Sequence, residues 1–77
     1  MLHFGNREIN KGDVIRFCQV AGAVSETNEG PDTLFVRFTK ATYTRAEVLD
    51  LLRLLAEMQP DECTLEGDGN ELRLWWD

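Results

Sequence analysis

The chain has 77 residues, of which 43% are hydrophobic and 29% charged, and its formal net charge is −6. This length suits one small domain spanning residues 1–77, and the apolar content is too high for a disordered chain. Uninterrupted apolar runs are only a few residues long, against the ~20 that cross a membrane. With no secretory leader pattern either, we expect a cytoplasmic protein without a membrane partner.

The charge is unevenly distributed. Residues 56–77 hold seven of the 14 acidic residues but only Arg73 of the eight basic ones, so they carry the whole −6 while residues 1–55 are neutral. Such a field repels phosphate backbones and membrane surfaces and attracts basic proteins. We therefore expect a protein partner rather than nucleic acid, although net charge also serves solubility alone.

The first 26 residues admit more than one interpretation. "LHFGNREI" fits a short hairpin turning at Gly5-Asn6 or a single bent strand, and the next stretch fits a helix over 11–25 or a strand at the edge of a small barrel. We favour the helix because apolar residues at 17, 18, 20 and 21 break the alternation of a strand. Asn10 would be its N-cap, and its apolar stripe would be Val14, Phe17, Cys18, Ala21 and Val24.

A polar connection containing Gly30-Pro31 precedes the next element. The segment "DTLFVRFTKA" alternates and is rich in β-branched and aromatic residues, which predicts a strand over 33–39. One face of this strand carries Leu34, Val36 and Phe38, and the other carries Phe35, Arg37 and Thr39.

The clearest element is a helix over 44–58. Thr44 and Glu47 have the spacing of a capping box, and Pro60 is expected to end the helix. The predicted apolar stripe contains Val48, Leu51, Leu52, Leu55 and Met58. Leu49 and Leu54 widen the stripe, which indicates contact on more than one side.

Asp68-Gly69 between two alternating runs predicts a hairpin of strands 62–67 and 70–76 joined by a type I′ turn. Its register places Cys63 opposite Leu74, Leu65 opposite Leu72, and Trp76 on their face toward the core. The opposite face carries Thr64, Glu66, Glu71, Arg73 and Trp75. Together the elements predict an α+β fold, with helices packed on a small, mostly antiparallel sheet of the N-terminal strand, strand 33–39 and the hairpin.

The sequence contains little that indicates catalysis. His3 stands alone near the amino terminus, and Cys18 and Cys63 do not form a C-x-x-C pair. The acidic "EGDGNE" is compressed around a hairpin turn, unlike the twelve-residue calcium loop. Phosphate-binding glycine motifs and the nucleophile elbow are absent from the sequence. We expect a non-enzymatic protein with no metal, no cofactor and no small-molecule substrate.

Trp75 is the main functional candidate because the register turns it away from the core. We expect a protein-protein interaction or regulatory module with Trp75 at an apolar centre, joined by Phe35 if strand 33–39 lies beside the hairpin in one sheet. Glu62, Glu66, Glu71 and Arg73 would form its rim. The partner is a basic protein or a second copy paired through the hairpin. The alternative function is an acidic inhibitor whose carboxylates mimic a phosphate array. A third interpretation is purely structural: the first helix covers Trp75.

Overall fold

A computed structural model describes residues 2–22, 25–26 and 32–77. The chain forms an α+β fold, as predicted. Its elements in order are β1 (Leu2–Phe4), β2 (Arg7–Ile9), α1 (Lys11–Ala21), β3 (Ser25–Glu26), β4 (Thr33–Arg37), α2 (Arg45–Met58), β5 (Glu62–Glu66) and β6 (Glu71–Trp75).

The strands form two antiparallel sheets. The larger one has the order β3-β4-β6-β5, and β1 and β2 form a separate two-stranded sheet. The N-terminal strand thus differs from the prediction, which placed it in the same sheet as the hairpin. Gly5, at φ 58°, turns the chain back at once so that Phe4 pairs with Arg7. The Asn6 N–H then donates to the carbonyl of Asp77 at 2.8 Å, which ties this hairpin to the carboxyl terminus.

Helix α1 confirms the helical interpretation of the first ambiguous stretch and shows that the strand interpretation is wrong. Asn10 caps it as predicted, since its side chain accepts from the Gly12 N–H at 2.8 Å. The helix ends at Ala21 rather than at residue 25, because Gly22 takes the left-handed conformation (φ 73°) and its N–H bonds back into the last turn. Four of the predicted stripe residues are buried, and Val24 lies outside the described residues.

Helix α2 has the predicted limits. The Thr44 side chain and the Glu47 backbone N–H are 3.2 Å apart, and the reciprocal bond from the Thr44 N–H is 2.9 Å long, so the capping box is complete. After Met58 the chain leaves the helix through Gln59, which adopts φ 50°, ahead of Pro60.

The buried face of α2 matches only part of the predicted stripe. Met58 is buried and Leu51 and Leu55 are half-buried against the core, as predicted, whereas Val48 and Leu52 are exposed. Leu54, at the side of the stripe, is buried. The difference results from how the two helices pack against each other. Helix α1 packs beside α2 with an Arg16–Asp50 ion pair of 3.4 Å, and no described element covers the other side of α2.

Both helices pack on one face of the larger sheet. The shared core contains residues of α1, of α2 and of the inner strand face: Phe17, Leu54, Met58, Leu34, Val36, Leu72, Leu74 and Trp76. Trp76 is 0% exposed and its ring centroid lies 4.7 Å from that of Phe4. The core position of Trp76 is confirmed, and the interpretation in which α1 covers Trp75 is wrong.

The C-terminal hairpin has the predicted register, with Cys63 opposite Leu74 and Leu65 opposite Leu72. The turn differs from the predicted type I′. Positive φ occurs at Gly67 (62°) and Gly69 (84°), not at Asp68. Because two glycines supply the left-handed positions, the connection opens to four residues and each strand is shorter than predicted.

Candidate interaction surface on the C-terminal hairpin

All six predicted site residues lie on one face of the larger sheet, the face opposite the helices, which we call the outer face. The pairing Phe35–Arg73 joins β4 to β6, and Glu62–Trp75 and Glu66–Glu71 join β5 to β6. Directly paired residues point to the same side of a sheet, so the register brings the six together. Thr33, Arg37 and Thr64 complete the face.

Trp75 is half-buried on this face and its polar atom is bonded within the chain. The indole Nε1 donates to Asp32 Oδ2 at 3.1 Å, and the Thr33 hydroxyl donates to Asp32 Oδ1 at 3.0 Å. The bonds from Thr33 and then from Trp75 hold the pKa of the Asp32 carboxyl below its ordinary value. The indole is therefore fixed in orientation, and only its apolar ring surface is left for contact.

Phe35 and Arg73 sit beside the indole. Both are half-buried, and Arg73 lies directly across from Phe35 and two positions before Trp75 on the same strand. Residues two apart on a strand share a face and diagonal neighbours lie about 7–8 Å apart. Arg73 thus borders both aromatic residues and adds a positive charge to the apolar centre.

The rim is acidic toward β5. Glu71 forms a 3.6 Å ion pair with Arg37 on one side and faces Glu66 on the other. Glu62 and Glu66 are exposed, as is every residue of β5, and neither glutamate has an ion-pair partner among the described residues. The hairpin therefore presents uncompensated negative charge along its β5 side.

A second surface was not predicted. Four large apolar side chains are exposed on α2 and β5: Val48 by 43%, Leu49 by 54%, Leu52 by 57% and Leu65 by 63%. The sequence signal for it was the width of the α2 stripe, because seven large apolar residues in a 14-residue helix exceed what one buried face needs. Leu65 points toward the helical side, as its register predicts, but the helices bury β4 and β6 residues and leave β5 uncovered.

A depression of about 390 Å³ lies at one end of this second surface. Val48 and Leu51 of α2 line it together with Phe38, Tyr43 and Asn70, the last of these from the hairpin turn. The shared lining shows that the Val48 side of α2 faces the turn between β5 and β6.

Two further features of the described residues are the placement of potential metal ligands and the state of the two cysteines. They contain no group of three His, Cys, Asp or Glu side chains placed to hold a metal ion. Cys18 is buried, Cys63 is exposed, and the two are not joined by a disulfide. Desolvation by neighbouring atoms nevertheless raises the pKa of the Cys63 thiol. No described helix combines the length and apolarity needed to cross a membrane.

No protein-family model, curated protein or solved structure matches the chain. A functional assignment therefore depends on the surfaces described above.

Proposed function

We propose that this protein is a small, non-enzymatic interaction module that binds a protein partner with a basic surface through the outer face of the β5–β6 hairpin. One observation carries the proposal: both helices pack on the same face of the sheet. The face that holds Trp75 consequently has no described helix over it. Tryptophan is enriched among the residues that dominate interface energetics, so a half-buried indole on a sheet face without a helix over it supports an interaction site.

The state of Trp75 favours tight contact. Tryptophan and arginine are enriched among the residues that dominate interface energetics. The hydrogen bond from Trp75 to Asp32 holds the ring in place before a partner arrives, which reduces the entropy lost on binding. Trp75, Phe35 and Arg73 would form the centre of the interface.

Charge selects the kind of partner. Glu62 and Glu66 on the rim belong to the C-terminal segment that carries the entire net charge. A partner with complementary positive charge would be attracted and oriented at long range, and a negatively charged one repelled. A basic protein is therefore the partner that this surface fits best.

A phosphate-mimicking inhibitor remains the second candidate. Exposure of all acidic residues from Asp61 to Asp68 supports it. Two arginines weaken it: Arg73 lies in the middle of the outer face, and Arg37 pairs with Glu71 at 3.6 Å. A phosphate array has no such interruptions.

A comparative pull-down tests the proposal. Tagged full-length protein, Trp75→Ala, the double variant Glu66→Gln/Glu71→Gln and the control Ile15→Ala are exposed to lysate at low and high salt. Ile15 is exposed on α1, on the other side of the sheet. We expect Trp75→Ala to weaken retention of the captured protein at least tenfold, and Ile15→Ala to leave it unchanged. Near-UV circular dichroism from Trp76 checks that each variant is folded.

Each other result has a definite meaning. Loss in the double variant but not in Trp75→Ala, with a steep decrease of binding at high salt, would favour the phosphate mimic. Sedimentation that shows a Trp75-dependent dimer at micromolar concentration would identify a second copy as the partner. Capture that neither variant alters would refute a role for the outer face.

A further inference from the structure

Strand β5 forms an edge of the larger sheet, and its free backbone groups can be assigned. The Phe38 N–H donates to the Asn70 carbonyl at 2.7 Å, and the Trp76 N–H donates to the Asp32 carbonyl at 3.0 Å. The backbone groups of the even-numbered residues of β4 and β6 therefore form the hydrogen bonds between these two strands. Because hydrogen bonds alternate sides along an antiparallel strand, the odd-numbered residues of β6 bond to β5.

The same alternation assigns the residues of β5. Glu62, Thr64 and Glu66 are the partners of the odd-numbered β6 residues, so their backbone groups are used within the hairpin. The backbone N–H and C=O groups of Cys63 and Leu65 point away from the sheet. No described strand pairs with that side. An edge of this kind is a template for another strand.

Apolar side chains are also exposed on the helical side of the sheet. Leu65 is exposed on the helical side of the sheet, and α2 exposes Leu52, Leu49 and Val48. Asp50 of α2 faces α1 through its ion pair with Arg16. Leu52 follows Asp50 by two positions, about 200° around the helix, and therefore lies on the flank of α2 away from α1. Val48 lies on that flank and lines the depression at the hairpin turn.

We propose that this edge and the adjacent flank of α2 receive an extended segment of the partner in which basic and apolar residues alternate. The segment would add a strand to β5. Its basic side chains would lie on the outer face against Glu62 and Glu66, and its apolar side chains would lie against Leu65 and Leu52. This inference rests on the proposed function and specifies how the partner binds.

Like charge disfavours the simplest alternative occupant, a second copy paired through β5 in full register. If two β5 strands paired antiparallel over all five residues, Thr64 would lie on the two-fold axis. Glu62 of each chain would then face Glu66 of the other. Like charges directly opposite each other destabilise a strand pair, and β5 contains no basic residue to compensate.

The test uses a defined probe, the fluorescein-labelled peptide GKVTVKG, and its charge-reversed control GEVTVEG. Fluorescence anisotropy measures binding to the full-length protein, and NMR hydrogen exchange measures protection of single amides. We expect GKVTVKG to bind at least tenfold more tightly than GEVTVEG. Bound GKVTVKG should slow exchange at the amides of Cys63 and Leu65.

Two pairs of variants separate backbone pairing from side-chain attraction. Cys63→Pro removes an outward N–H that no intramolecular bond uses, whereas its control Cys63→Ser keeps that N–H. We expect at least tenfold weaker GKVTVKG binding to Cys63→Pro and unchanged binding to Cys63→Ser. Charge reversal in Glu62→Lys/Glu66→Lys should exchange the preference of the two peptides. If Cys63→Pro does not fold, this exchange of preference decides the matter.

Equal binding of both peptides, or unprotected Cys63 and Leu65 amides in the complex, would overturn the inference. Amide protection that appears without peptide as protein concentration rises would identify a second copy and would overturn it too. If any of these overturning results occurs while Trp75→Ala still abolishes partner capture, the addition of a partner strand to β5 is wrong and the proposed function stands. If GKVTVKG binds as expected while Trp75→Ala leaves capture unchanged, the edge recognises strands and the outer face is not the interface.

Discussion

The two adjacent tryptophans give the sharpest test of the fold, because replacing each by phenylalanine should have different consequences. Trp76 lies at the centre of the core against Phe4, and its Nε1 donates to the carbonyl of Met58 at 2.9 Å. Met58 is the last residue of α2, so its carbonyl has no intrahelical donor. Trp76→Phe leaves this buried acceptor without its partner and leaves a void where the larger ring was.

The expected loss follows from these two effects. An unsatisfied buried carbonyl costs about 1–3 kcal/mol, and the void adds roughly 1 kcal/mol or more. The total of about 2–4 kcal/mol is a large share of the ~4–12 kcal/mol expected for a domain of this length. Trp75→Phe removes the bond to Asp32 at a half-buried site, where water replaces the lost partner, and should cost about 1 kcal/mol or less.

Urea unfolding followed by circular dichroism at 222 nm measures both variants without relying on tryptophan fluorescence. The midpoint of Trp76→Phe should fall well below that of the unmodified protein, and its Tm should decrease by about 10–25 °C. Trp75→Phe should remain close to the unmodified protein. Equal losses, or a larger loss for Trp75→Phe, would show that the assignment of the two faces is wrong.

Three further predictions test other features. Leu54→Ala should lower the free energy of unfolding by about 2–5 kcal/mol and Leu52→Ala by under about 0.5 kcal/mol, because only Leu54 is buried. A larger loss for Leu52→Ala in urea titration would show that Leu52, as the sequence predicted, faces the core. The salt bridge with Lys40 and the bonds to the Thr44 cap lower the pKa of Glu47 to about 2, so its contribution to stability is present above pH ~4.5 and is lost as pH falls through about 2. In Glu47→Gln the urea unfolding midpoint should therefore depend less on pH between pH 5 and 2 than in the unmodified protein, and an equal pH dependence would contradict this. Gly5→Ala should destabilise the protein by about 1–3 kcal/mol, because its φ is +58° and the new Cβ would lie 2.5 Å from a backbone oxygen; an unchanged Tm would show that this turn relaxes freely.

The sequence predicts those features that depend on neighbouring residues. Asn10 marks the start of α1, and the pair Thr44 and Glu47 marks the start of α2. Both can be predicted because a cap side chain lies within three residues of the N–H group that it bonds. Alternation and the position of the turn place Trp76 inward and Trp75 outward, since side chains of a strand alternate in direction. The grouping of the five hairpin site residues on one face follows from the same alternation, whereas Phe35 joins them only through the pairing of β4 with β6.

Some local features escaped prediction for a local reason. The sequence around Asp68-Gly69 contains two glycines that can adopt positive φ, and Gly67 takes the role that a type I′ turn assigns to Asp68. The predicted helix over 11–25 runs through Gly22, whereas Gly22 ends the helix. In both cases composition shows where a glycine is, but not which conformation the surrounding chain requires of it.

Only the tertiary structure decided which surfaces remain open. The apolar residues of α2 extend around more of the helix than one contact covers, and the position of α1 selects Leu54 over Leu52 as the core residue. Placement of both helices on the same face of the sheet leaves Trp75 half-buried and Leu65 exposed. These outcomes depend on packing between elements distant in the chain, and helical periodicity indicates that a residue is apolar without indicating what will cover it. Sequence alone thus determined both helix starts, the register of the C-terminal hairpin and the direction of each tryptophan, and packing determined the surface left for a partner.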